Sequence, residues 1–124
     1  MILVDTSVWV DYLRMGDPEM ASLLETDQVC SHDFVVGELA CGSLRNRAEI
    51  LGLLRSLPRL ATATEEEALF FIEDRHLMGR SIGYIDVHLL AATILGSAHL
   101  WTRDKALRII AEEAGRAYSA DAQR

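Results

Sequence analysis

Met1-Ile2-Leu3-Val4-Asp5-Thr6-Ser7-Val8-Trp9-Val10 opens the chain and decides its fold class. Ile2, Leu3 and Val4 form an unbroken aliphatic run with no polar alternation, the pattern of a strand buried on both faces. Asp5 ends that run. Thr6 or Ser7 is then placed to cap a helix through Val8, Trp9 and Leu13. A strand covered on both faces needs helices on both sides, so the opening predicts a layered α/β domain.

The rest of the chain repeats the alternation. Asp17-Pro18 marks a helix start, with Pro at the first helical position. Gln28 to Cys30 is a short extended segment. His32 to Gly42 and Arg45 to Leu57 suit two helices, the second closed by Pro58. Arg59 to Ala63 is a candidate strand. Thr64 to Glu67 matches a capping box for a helix that ends near Gly79. Ile85 to Gly96 is apolar nearly all round and predicts a buried helix. Ala98 to Thr102 is a strand candidate. Asp104 to Gly115 is a terminal helix, and Arg116 to Tyr118 a further edge strand. No Asn-Gly or Asp-Gly hairpin signal occurs. The strands are therefore expected to run mainly parallel, in a short sheet flanked by helices in three α/β/α layers.

The length of 124 residues is one domain's worth, expected to span 1–124. Half the residues are hydrophobic and 25% are charged, which excludes disorder and coiled coil. The longest apolar run, Leu89 to Leu95, is too short to cross a bilayer, and no basic leader precedes the first strand. Cys30 and Cys41 form no metal or disulfide framework, which suits reduced thiols in a cytoplasmic protein. The net charge of −7 opposes nucleic-acid binding by bulk charge, unless some acids hold cations.

Four acids stand out. Glu38 and Asp86 sit in apolar helical contexts, with no basic residue three or four positions away. An acid on an apolar face is costly unless compensated. Asp5 and Asp104 fall at the carboxyl ends of strands, where layered α/β folds place their ligands. Capping accounts for either of these two taken alone. A cluster of all four requires a cation, and hard oxygen donors suit Mg²⁺ or Mn²⁺. No histidine has zinc spacing. Thr6, Ser7 and Thr102 are placed to orient a ligand or a water. Arg103 and Lys105 beside Asp104, and Arg45 and Arg47 after the Glu38 helix, are candidate phosphate contacts. Trp9 and Trp101 suit core packing better than base stacking.

Ile2 to Val10, Phe34-Val35-Val36-Gly37-Glu38-Leu39-Ala40-Cys41-Gly42-Ser43, Gly83 to Ala91, and Leu100-Trp101-Thr102-Arg103-Asp104-Lys105 occur in the order and spacing of a known family. With these motifs the chain resembles the PIN-domain ribonucleases, and among them the VapC-type toxins of toxin–antitoxin systems. The resemblance implies that Asp5, Glu38, Asp86 and Asp104 are the catalytic, metal-holding acids. It implies a Mg²⁺- or Mn²⁺-dependent endoribonuclease hydrolysing RNA phosphodiesters. It also implies a homodimer, and a cognate VapB-type antitoxin that holds the enzyme inactive. The alternatives are a receiver-like signalling domain, which places further acids near its first strand end where this chain has Thr6 and Ser7, and a non-enzymatic interaction module. A dehalogenase-type phosphotransferase requires Asp where Ser7 stands.

Overall fold

The first strand, β1 (Ile2–Val4), is the centre of the sheet and is buried along its whole length. The computed structural model describes residues 1–119. After β1 come α1 (Thr6–Met15), α2 (Pro18–Glu25), β2 (Val29–Cys30), α3 (Asp33–Ala40) and α4 (Arg47–Ser56). Then follow α5 (Glu65–Asp74), α6 (Tyr84–Leu95), β3 (His99–Trp101) and α7 (Lys105–Glu113). The strand order is β2-β1-β3 and every pairing is parallel, Leu3 standing opposite Cys30 on one side and Leu100 on the other. Parallel neighbours require helical crossovers, and these supply the two outer layers.

Packing follows the apolar pattern. Leu3, Val4, Val8, Trp9, Leu89, Leu90, Leu100 and Leu107 are fully buried in one core. α6 is buried from Val87 to Thr93, as its all-round hydrophobicity predicts. Trp9 is wholly inside, whereas Trp101 is half-buried against Tyr118. Both cysteines are free; Cys30 is buried, and that burial pushes its thiol up to about 11. Among the described residues no helix is long and apolar enough to cross a membrane.

Three expectations need correction. Arg59 to Ala63 is not a strand: it pairs with the sheet edge only through a bridge between Ser31 and Arg59, then leaves for the α5 cap. Arg116 to Tyr118 likewise makes one bridge, because both of its hydrogen bonds fall on Leu100. The helix opened by the Thr64–Glu67 capping box stops at Asp74, not near Gly79. His76 takes a left-handed conformation, and the Leu77 amide donates to the Ile72 carbonyl, which closes the helix a turn early.

The Tyr118 hydroxyl donates a short hydrogen bond to Glu19, tying the last described segment to α2. Burial and the Glu19 charge push Tyr118 up to about 12. Glu19 is therefore a structural acceptor rather than a solvated surface acid.

Candidate metal centre at the strand ends

Asp5 follows β1 directly and is buried. It is the N-cap residue of α1, in place of Thr6 or Ser7, but its side chain caps nothing. Its Oδ2 accepts the Ser7 hydroxyl at 2.7 Å and the Thr102 hydroxyl at 2.8 Å. Those two hydroxyls in turn accept the backbone amides of Arg103, at 3.1 Å, and Asp104, at 3.0 Å. One carboxylate oxygen thus organises the whole turn from β3 into α7. This bears out the orienting role expected of Ser7 and Thr102. Thr6 serves the next acid: its hydroxyl donates to Glu38 Oε1 at 2.8 Å.

Asp86 is half-buried near the start of α6, where its Oδ2 accepts the Gly83 amide at 3.2 Å. Asp104 caps α7, its Oδ2 accepting the Leu107 amide at 2.8 Å. Burial raises the Asp86 pKa above its ordinary value, the Gly83 hydrogen bond opposes that rise, and the charges of Asp5, Asp104 and Glu38 add to it. All four acids therefore share one electrostatic neighbourhood. They come from the end of β1, α3, α6 and the β3–α7 turn.

Glu38 departs from its expected setting. It is exposed, while Val35 and Leu39 on the same helix carry the packing, so burial imposes no cost on it. Its place in the cluster rests on its neighbours and not on an apolar face.

The donor set suits a hard cation. Each acid has one oxygen in a protein hydrogen bond, and among the described residues the other oxygen has none. No described Lys, Arg or His forms an ion pair with any of the four. As they stand, no three His, Cys, Asp or Glu of the described residues converge into a closed ligand set. Mutual repulsion keeps the carboxylates in separate hydrogen-bonded poses, and only an added cation would offset it.

The basic residues divide. Arg103 is fully engaged: it pairs with Asp11 at 2.8 Å and Asp17 at 3.0 Å, and lies over the Trp101 ring. Arg47 donates to the Ala40 and Gly42 carbonyls, closing the turn after α3. Neither is a free phosphate contact, which corrects that expectation for both. Arg45 makes no ion pair with a described residue.

A pair of buried histidines escaped the sequence reading. His32 Nδ1 accepts the Phe34 amide and caps α3, and Phe34 stacks edge-on between His32 and His88. Burial lowers both histidine pKa values. No local spacing signals the pair, because the two histidines lie on different elements.

A buried strand end carrying one acid, facing three more from separate elements, defines an acid-centred α/β class. The PIN domain family model matches residues 2–113, and the chain belongs to that family, among its VapC-type ribonucleases. It is 43% identical over 116 residues to Ribonuclease VapC32 of Mycobacterium tuberculosis, in both strain CDC 1551 / Oshkosh and strain H37Rv. The match covers 93% of this chain and 94% of that protein. Two solved structures share the fold. PAE2754 from Pyrobaculum aerophilum has a TM-score of 0.68 at 13% identity, covering 98% of this chain and 90% of that one. FitAB bound to an IR36 DNA fragment has a TM-score of 0.64 at 18% identity, covering 90% and 91%. Family membership sets aside the receiver-like and interaction-module alternatives.

Proposed function

We propose that this chain is a divalent-metal-dependent endoribonuclease that hydrolyses RNA, acting in the cytoplasm as the toxin of a toxin–antitoxin pair. The observation that carries the reading is the raised Asp86 carboxyl, ringed by Asp5, Glu38 and Asp104 without a protein cation. Asp5, Glu38, Asp86 and Asp104 would hold Mg²⁺, or Mn²⁺ in its place. A bound ion would supply an activated water and offset the charge that develops on the phosphate. Asp5 is fixed by Ser7 and Thr102, so its orientation does not depend on the ligand. Asp86 and Asp104 are fixed by the helix starts they cap.

The antitoxin assignment draws on the VapC naming of the relatives and on the FitAB complex among the fold neighbours. A VapB-type antitoxin is the proposed partner. A homodimer is the proposed assembly, and exposed Leu69 and Phe70 on α5 offer it apolar surface. The test is cleavage of cellular RNA by the purified chain with Mg²⁺, with EDTA, and after Asp5→Ala or Asp86→Ala. Cleavage that survives EDTA or either substitution refutes the metal site. Expression that arrests growth, relieved by the adjacent small open reading frame, supports the toxin role; harmless expression of an active nuclease refutes it.

A further inference from the structure

A cavity of about 710 Å³ opens beside the acid cluster, between α1, α3 and the loop leading into α4. Thr6 and Glu38 form its wall on the acid side. Val10, Leu13, Leu39 and Ile50 line it with aliphatic surface, and Arg14 and Arg45 lie among its remaining lining residues. Both arginines are exposed, and neither pairs with a carboxylate of the described residues. By contrast Arg103 and Arg47 are consumed by the protein itself.

We infer that this cavity is a nucleotide subsite: it takes the nucleoside next to the scissile phosphate, with Arg14 and Arg45 on the flanking phosphate or the base. The inference rests on the acid cluster being the RNA-cutting site. A phosphate held at Glu38 and Asp5 leaves its neighbouring nucleoside one backbone link away, and Glu38 is itself a wall of the cavity. The volume lies within the range of small-ligand sites. The aliphatic lining suits the face of a base, and the two unpaired guanidinium groups suit a polyanion. In a chain of net charge −7, two unpaired arginines beside an acidic centre are complementary to phosphate and not to the centre's own carboxylates alone. Arg45 and Arg14 thereby act as specificity-determining contacts, and the size of the cavity selects which base is accepted.

The test is steady-state cleavage of a fluorogenic single-stranded RNA with Mg²⁺ by the wild type and by Arg14→Ala, Arg45→Ala and Arg45→Glu. KM should rise about 5–20-fold in the alanine variants and further in Arg45→Glu, with kcat falling much less. The slope of log kcat/KM against log salt should shrink by about 0.7 for each phosphate contact removed. End-mapping should show relaxed base preference at the position next to the cut. Unchanged KM, salt slope and base preference in all three variants overturn the subsite while leaving the nuclease intact. Loss of antitoxin capture with RNA kinetics unchanged assigns the cavity to a peptide instead, and also overturns it. Absence of any Mg²⁺-dependent cleavage by the wild type overturns the nuclease reading, and the subsite falls with it.

Discussion

Thr102 donates its hydroxyl to Asp5 Oδ2 at 2.8 Å across 97 positions of sequence, and accepts the Asp104 amide at 3.0 Å. One buried hydroxyl thereby fixes two of the four acids relative to each other. Thr102→Val keeps the shape but leaves the Asp104 amide without its acceptor and Asp5 with one donor fewer. We expect a loss of about 1–3 kcal/mol, read from urea unfolding. Thr102→Ser should recover most of the stability and of kcat. Equal kcat in the valine and serine variants would show that the hydroxyl orients nothing.

Asp86 carries the opposite balance. Its pKa is raised by burial and by three like charges, so without metal its ionised form weakens the fold once the pH exceeds the ordinary carboxylate range. Asp86→Asn keeps an oxygen for the Gly83 amide and removes the charge. The metal-free variant should melt at the same temperature as the wild type or higher. Added Mg²⁺ should raise Tm in the wild type and much less in the variant. Matching Mg²⁺ shifts would mean that Asp86 is not a ligand.

His32 sets a pH dependence of the opposite sign. Burial holds its pKa below 6.5; Asp33 opposes that, while Arg59 and His88 add to it. Below pH 6.5 the unfolded chain binds a proton that the folded chain resists, so stability falls as pH falls towards the lowered pKa. Protonation would also remove Nδ1 as the acceptor for the Phe34 amide. His32→Asn retains a capping oxygen without a titrating ring. Urea midpoints between about pH 7.5 and 5.5 should fall in the wild type and flatten in the variant, with His88 supplying what slope remains. A variant as steep as the wild type would clear His32 of this role.

The products report the nucleophile. Cleavage by the RNA 2′-hydroxyl commonly uses paired general acids and bases, often histidines. Here His32 and His88 are buried behind Phe34, and the acid cluster has no histidine ion pair. Water as nucleophile leaves a 5′-phosphate and a 3′-hydroxyl. A single 2′-deoxy substitution at the cut should slow cleavage only modestly and leave the same ends. A 2′,3′-cyclic phosphate product, or complete block by that substitution, would exclude attack by water.

The sequence by itself determined the layered fold and the identity of the acids. Ile2-Leu3-Val4 could only be a strand covered on both faces, and the all-apolar α6 could only be buried, because each pattern is a local consequence of side-chain period. The four-motif resemblance then named Asp5, Glu38, Asp86 and Asp104. Local pattern failed where a single contact decides the outcome. Arg59 and Ala117 make one bridge each instead of a strand, and the left-handed His76 ends α5 before Gly79. Only the tertiary structure decided which side chains are already occupied. Arg103 and Arg45 look alike in sequence, yet Arg103 is held by Asp11 and Asp17 from α1 and the start of α2, while Arg45 faces an open cavity. Glu38 looked buried among apolar neighbours and is exposed, because the orientation of α3 against its neighbours, and not its composition, sets which face meets solvent. The grip of Ser7 and Thr102 on one oxygen of Asp5 joins residues from opposite ends of the chain. It exists because β1 and β3 are adjacent in the sheet, a long-range pairing that no local pattern encodes.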